Sequence, residues 1–187
     1  MRSVILLTVC MLLLSLPAGA REIADVDVAE TVVQTNGTTL HLNGAGIRSK
    51  FFFKIYIAAL YLENINPDAA QVIESDGGKR MAMHFLYDEV DKDDLVEAWN
   101  DGFSGNGSPA QLADLSGQIA AFNALFDTVK SGDSIILDYI PGAGTSVSIR
   151  GENKGMVAGK PFNDLLLSIW LGKEPVSGDL RDDLLGK

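Results

Sequence analysis

The chain has 187 residues, of which 47% are hydrophobic and 21% charged, a composition that suits a single domain with a buried core. Its formal net charge of -10 at pH 7 argues against nucleic acid or an anionic membrane surface as a partner. The one cysteine, Cys10, lies in an apolar N-terminal segment, so disulfides and thiolate metal sites are excluded from the rest of the chain.

The N-terminal segment has the pattern of a secretory signal peptide. Arg2 precedes an apolar core from Val4 to Leu16, and small residues follow up to Ala20. The alternative is an uncleaved anchor, but the apolar run is shorter than the roughly 20 residues that a membrane-spanning helix needs. We therefore predict a signal peptide over residues 1–20, a mature domain over 21–187 without a stable membrane anchor, and export across the inner membrane to the periplasm.

The first part of the predicted domain consists of strands. Apolar residues alternate with polar ones in 26–33 and 38–42, and the turn signal Asn36-Gly37 between them predicts a β-hairpin. The stretch 44–64, GAGIRSKFFFKIYIAALYLEN, is a long apolar run rich in aromatic and β-branched residues. Such a run predicts one central strand that is covered on both faces.

The predicted central strand carries the strongest candidate site. The two-residue period of a strand puts Arg48 and Tyr56 on the same face. Together with Lys50 and Lys54, Arg48 forms a local positive island in acidic surroundings, which indicates a small anionic ligand. A guanidinium and a phenol can jointly hold a carboxylate such as a fatty acid head group. The alternative is that Arg48 pairs with a carboxylate of the protein and has no other role.

The remaining patterns group strands with strands and helices with helices. This grouping predicts an α+β fold with an antiparallel sheet and helices packed on one face. The predicted elements are a helix to about residue 74, a strand over 80–87, a helix from Asp91, a loop over 102–107, a long helix from Ser108 to about Val129, short strands over 134–140, 145–150 and 155–157, and helices over 161–171 and 177–185.

Other kinds of site find little support in the sequence. His41 and His84 lie on separate predicted strands without metal-ligand spacing, so we predict no metal site and no cofactor. Ser104 lies in no nucleophile elbow, and the glycines of 142–144 precede a strand rather than a helix. The acidic run over 88–94 lacks the glycine and the terminal glutamate of a calcium loop.

Three segments resemble the chalcone isomerase family, including its fatty-acid-binding and bacterial chalcone isomerase-like members. They are GAGIR with the following FKIYIAALYLE, LSGQIAAFNALFDTVKSGDSIILDYIPGAGTSVSIRG and PFNDLLLSIWLGKEPVSGDLRDDLLG, and together they extend the resemblance over the chain after the leader. The resemblance implies an open-faced β-sandwich, in which helices cover one face of a large antiparallel sheet and leave a cleft.

The resemblance also implies roles for individual residues. Arg48 matches the arginine that orients the substrate in the plant enzymes, whereas Tyr56 stands where those enzymes have a threonine, as in the fatty-acid-binding members. Asn100 matches an asparagine near a helix start, and Ser168 lies near another hydroxyl position of the family. An acidic residue near Asp93 replaces a catalytic tyrosine, which argues against isomerase activity.

These observations favour a noncatalytic domain that binds a small amphipathic anion such as a fatty acid, with Arg48, Tyr56, Asn100 and Ser168 as the ligand-binding residues and no catalytic residue. One alternative is an isomerase, an intramolecular lyase that uses Arg48 as an electrophilic clamp on a chalcone-like substrate. It would require a general acid or base near Arg48, which the sequence does not reveal. Another is an interaction module with a filled core and no cavity beside Arg48.

Overall fold

The computed structural model describes residues 20–187, so the predicted signal peptide, except for its last residue, lies outside the described part. The strands of this part are β1 (Ala20–Ile23), β2 (Val26–Ala29), β3 (Thr31–Val33), β4 (Thr39–Lys50), β5 (Phe53–Leu62), β6 (Lys79–Phe85), β7 (Glu89–Val90), β8 (Val129–Lys130), β9 (Ser134–Ile140), β10 (Gly144–Ile149) and β11 (Glu152–Ala158). The helices are α1 (Ala69–Glu74), α2 (Lys92–Asn106), α3 (Pro109–Asp114), α4 (Ser116–Asn123), α5 (Lys160–Leu171) and α6 (Gly178–Leu184).

Seven of the strands form one antiparallel sheet in the order β11-β10-β9-β6-β5-β4-β3. The hairpin β1–β2 and the short pair β7–β8 lie outside this sheet. The predicted α+β fold with a large antiparallel sheet and a helical layer is confirmed. The hairpin around Asn36-Gly37 is confirmed as well, since β3 pairs with β4 and Gly37 adopts the positive φ of +88° that the turn requires.

The single central strand predicted over 44–64 is wrong. The stretch forms two strands, β4 and β5, which pair with each other around a tight turn at Phe51 and Phe52. The apolar run indicated burial, but these two side chains are 87% and 99% exposed. The turn escaped prediction because it contains no glycine, asparagine or proline, and Phe51 adopts a φ of +56°, which a bulky residue rarely does.

The helical layer differs from its prediction in three places. The helix predicted to about Val129 ends at Asn123, and Val129 lies in β8. Helix α2 continues through the predicted loop over 102–107 and ends only at Asn106. A side chain on Gly102 would lie 2.8 Å from Ile169, so this glycine lets α2 pack closely on α5 rather than ending the helix. The long helix predicted from Ser108 is interrupted at Leu115, between α3 and α4, even though its apolar stripe continues.

The sheet separates two hydrophobic clusters of unequal size. The larger cluster lies under the helices and includes the alternate β5 residues Tyr56, Ala58, Leu60 and Leu62. The smaller cluster lies on the opposite face, with Val28 of the β1–β2 hairpin, and includes Ile57, Ala59 and Tyr61. Strand β5 is therefore covered on both faces, which explains why its sequence is apolar almost throughout.

The last helix lies directly against β4. A Cβ atom on Gly44 would lie 2.1 Å from the backbone oxygen of Asp183 and 2.7 Å from the backbone of Leu184. Beside this contact, Nδ2 of the buried Asn43 donates a 2.8 Å hydrogen bond to the Leu184 carbonyl oxygen. Gly44, the first glycine of the GAGIR stretch, thus allows α6 to approach β4 to backbone contact.

Candidate functional site

Strand pairing brings Arg48 and Tyr56 together. Arg48 of β4 lies directly opposite Tyr56 of β5 in the antiparallel register, and opposite residues project from the same face of a sheet. One residue further along, the register shifts, so that Ile55 has no partner in β4. The two candidate residues therefore share a face as predicted, although a hairpin rather than one continuous strand achieves it.

Tyr56 is buried beneath the helical layer. Its side chain is only 8% exposed and its ring lies 5.7 Å from that of Phe85. Nε1 of Trp170, on α5, donates a 3.2 Å hydrogen bond to the Tyr56 hydroxyl. Burial raises the pKa of Tyr56 to about 12, against the opposing effects of the Trp170 hydrogen bond and the charge of Arg48. The phenol is consequently protonated at physiological pH.

The hydroxyl proton of Tyr56 and the indole N–H of Trp99 have no hydrogen-bond acceptor among the residues that the structure describes. In residues 20–187 we find no hydrogen bond that the Tyr56 hydroxyl donates, since its one bond is the bond it accepts from Trp170. The indole of Trp99, on α2, packs edge to face on Trp170 at 5.7 Å, and its Nε1 is buried without a partner in the same part of the chain. Buried donors without an acceptor are uncommon, so these two favour an acceptor group as the ligand.

Arg48 lies at the outer edge of the site and is only partly buried. Its guanidinium donates a hydrogen bond to the carbonyl oxygen of the neighbouring Ser49. Among the described residues, none of the ion pairs involves Arg48. The alternative, in which Arg48 only pairs with a carboxylate of the protein, requires a carboxylate partner. Arg48 has none among the described residues.

Two surface cavities in the described part lie away from Arg48 and Tyr56. One is lined by Glu63 and Ser75 at the other end of β5, and the other by Asp68 and Arg181. The space around the Tyr56 hydroxyl is filled by aromatic side chains of the larger cluster.

Comparison with known proteins agrees with this architecture. The sequence profile of the chalcone isomerase-like family matches residues 20–186. The chain belongs to the chalcone isomerase-like family. A crystal structure of a fatty-acid binding protein from Arabidopsis thaliana is similar to it, with a TM-score of 0.63 and 18% sequence identity over 83% of this chain and 96% of the other. At this identity the likeness shows the fold alone. No curated protein sequence matches significantly.

The other two site residues predicted from the chalcone isomerase-like resemblance have partners elsewhere. Asn100 is exposed on α2, and its Oδ1 accepts a 2.8 Å hydrogen bond from Nδ2 of Asn123. The Ser168 hydroxyl donates a 2.5 Å hydrogen bond to the Leu165 carbonyl within α5. No hydrogen bond found among residues 20–187 joins either side chain to Arg48 or Tyr56. Both remain predictions as ligand-binding residues.

Neither histidine of the described part lies beside Tyr56. His84 pairs with Ile57 and so lies on the opposite face of β5 from Tyr56, and His41 is exposed at the far end of β4. Within the part of the chain that is described, no group of three or more metal-ligating side chains occurs. In the same part, no helix has the length and apolar character needed to cross a bilayer.

Sequence reasoning missed the two tryptophans of the site. Neither Trp99 nor Trp170 was among the predicted site residues, and both lie in the core. A signal was nevertheless present, because a buried indole needs a hydrogen-bond acceptor for its N–H group. An apolar stripe that contains tryptophan therefore predicts a polar partner on the facing element, here the Tyr56 hydroxyl for Trp170.

Proposed function

We propose that this protein is a noncatalytic chalcone isomerase-like domain that binds a small amphipathic anion, with a fatty acid as the leading candidate. The observation that carries the proposal is the cross-strand pair of a buried, protonated tyrosine and an arginine without a carboxylate partner in the described part of the chain. We further propose that the mature form begins at Arg21 and resides in the periplasm. An intact mass that includes the leader would contradict the mature start at Arg21.

The head group would bind between Arg48 and Tyr56. A carboxylate accepts hydrogen bonds only, and this pair offers a guanidinium and a phenolic proton without bringing a second charge into the core. A charge-assisted hydrogen bond contributes about 1.5 to 3 kcal/mol, which corresponds to roughly ten- to a hundredfold in affinity.

The tail would lie under the helical layer. Burial of about ten methylenes contributes roughly 8 kcal/mol, whereas association costs on the order of 4 to 15 kcal/mol in lost freedom. The tail alone therefore gives weak binding at best, and the head-group contacts decide whether binding is measurable. Phe52 is 99% exposed at the hairpin turn and does not line such a site.

The same environment argues against the isomerase alternative. A phenol whose pKa is raised to about 12 is a poor general base near neutral pH. His84 lies on the opposite face of the sheet from Tyr56. We expect chalcone to be cyclised no faster than the uncatalysed background, as followed by the loss of chalcone absorbance. Turnover that is abolished by Arg48→Ala would overturn the proposal in favour of the isomerase.

The decisive experiment compares a fatty acid with the fatty alcohol of the same chain length. We expect Arg48→Ala to weaken the acid by roughly ten- to a hundredfold and the alcohol hardly at all, because only the acid uses the charge. Tyr56→Phe should weaken the acid as well, and it also removes the acceptor of Trp170. Isothermal titration of both ligands against each variant measures these differences.

A matched control separates the clamp from a general positive potential. Lys54 is an exposed cation close to Arg48 in the same hairpin, and Lys54→Ala should change the affinity for the acid by less than about threefold, since exposed charges are screened. Equal weakening of acid and alcohol by Arg48→Ala would rule out the clamp. Absence of wild-type binding to either ligand would support the remaining candidate, an interaction module with a filled core.

A further inference from the structure

The end of the β4–β5 hairpin is an exposed cluster of aromatic rings. Phe51, Phe52 and Phe53 are 87%, 99% and 57% exposed, and we refer to these three residues as the aromatic tip. The ring of Tyr87 lies edge-on to that of Phe53 at 5.5 Å. Scattered apolar side chains are normal on protein surfaces, but consecutive aromatic rings at the end of a hairpin form a contiguous apolar patch, which marks an interaction site.

Cations surround the aromatic tip on both strands. Lys50 ends β4 and Lys54 follows the first residue of β5, and both are exposed, while Arg48 lies just behind them. Asp88, which follows Tyr87, is exposed too and is the acidic residue next to this patch in sequence. The tip therefore combines apolar rings with a local positive charge, in contrast to the net charge of -10 of the whole chain.

The backbone conformation of the aromatic tip also favours an interaction site. Phe51 adopts a φ of +56° as the first residue of the two-residue turn, a position at which glycine or asparagine is less strained. Phenylalanine at this position puts a second large ring beside that of Phe52 at the apex, where neither has a protein core to enter. The arrangement gives the hairpin an apolar apex at the expense of turn stability.

We propose that the aromatic tip inserts into the boundary between head groups and acyl chains of a bilayer that contains anionic phospholipids. Phenylalanine rings lose water at this depth, while the lysine stems let their ammonium groups reach the lipid phosphates. The net charge of -10 argues against an anionic membrane surface as a partner for the chain as a whole. It opposes binding at the aromatic tip only weakly, since charges more than about 8 Å from the surface are screened at physiological ionic strength. The proposal is independent of fatty acid binding in the core.

The test is flotation of residues 21–187, which contain the main sheet and the helices described, with vesicles of phosphatidylcholine alone or mixed with phosphatidylglycerol. The wild type should bind the mixed vesicles, and less as salt is added. The double variant Phe51→Asn/Phe52→Ser should bind at least about tenfold more weakly. The double variant Lys50→Gln/Lys54→Gln should lose on the order of fivefold per lysine on mixed vesicles only.

Matched controls keep the result interpretable. Ile65 is 67% exposed and Lys173 is exposed, both outside the hairpin, so Ile65→Ser and Lys173→Gln should bind like the wild type. The tip variants should melt no lower than the wild type, because Phe51 and Phe52 are exposed and asparagine at position 51 relieves the strain of a positive φ.

Three outcomes would overturn the proposal. One is a wild type that binds neither kind of vesicle, and another is equal binding of the wild type and the Phe51→Asn/Phe52→Ser variant. The third is self-association of the wild type without lipid that this variant abolishes in sedimentation velocity, which would make the aromatic tip a contact between copies of the chain.

Discussion

Replacement of Gly44 by alanine tests how tightly the last helix is packed on the sheet. The added Cβ would lie 2.1 Å from the Asp183 carbonyl oxygen and 2.7 Å from the backbone of Leu184, whereas real Cβ atoms essentially never approach other atoms within 3.0 Å. Both contacts are to backbone atoms, so no side-chain rotation relieves them. Helix α6 must therefore move away from β4 by roughly an ångström.

The cost of this movement follows from what α6 buries. Overpacking of a closed core costs about 1 to 3 kcal/mol, and α6 contributes the fully buried Leu180 and Leu184 to the larger cluster. The movement also stretches the hydrogen bond from Asn43 to Leu184, for about 1 kcal/mol. Alanine is better than glycine in a strand by roughly 0.5 to 1 kcal/mol. We expect a net loss of about 1 to 3.5 kcal/mol.

Urea unfolding of Gly44→Ala, followed by tryptophan fluorescence, measures this loss. Gly117 provides the matched control, because it lies in α4 with no atom within 4 Å of the position of an added Cβ. Gly117→Ala should stabilise the protein by up to about 1 kcal/mol through helix propensity. If Gly44→Ala unfolds at the same urea concentration as the wild type, the backbone contact between α6 and β4 is refuted.

Three further substitutions test other parts of the fold. Burial lowers the pKa of Lys79 to about 8, so the unfolded state binds more protons than the folded state between about pH 8 and 10. The free energy of unfolding of the wild type, measured by urea titration, should therefore rise with pH over this range, and that of Lys79→Met should not. Asp138→Ala should cost about 3 to 5 kcal/mol in the same assay, because it leaves Arg80 without the partner it binds at 2.6 Å and 2.7 Å. Ser108→Ala should lower the free energy of unfolding by about 1 kcal/mol, because the Ser108 hydroxyl accepts a hydrogen bond from the backbone N–H of Gln111. An unchanged calorimetric melting temperature would contradict this.

The sheet could be predicted where turns have their usual chemistry. Asn36-Gly37 and Pro141-Gly142 both lie in turns of the structure. In each case the two strands that flank the turn pair with each other. These residues act through local backbone preferences, which a sequence states directly. The antiparallel arrangement follows because short connections cannot join parallel neighbours.

The hairpin between β4 and β5 could not be predicted in the same way. Its turn residues, Phe51 and Phe52, have no turn preference, and an apolar run looks the same whether it is buried or exposed. The shared face of Arg48 and Tyr56 could be predicted because the two residues share a face in one long strand as they do across a hairpin. Their role as ligand-binding residues stays a prediction. The partnership of Tyr56 with Trp170 depends on packing between distant segments, which periodicity does not specify.

The pairing of β6 with β9 has a consequence for the order of folding. The strands β3 to β6 and the strands β9 to β11 each join neighbours in sequence, whereas β6 and β9 meet only after the helical segment between them, residues 86–133, has been looped out. Closure of so long a loop costs entropy before any contact compensates for it, so two meanders would form early and their junction late. Substitutions along the β6–β9 junction would then slow folding, while those at the outer strands would mainly hasten unfolding.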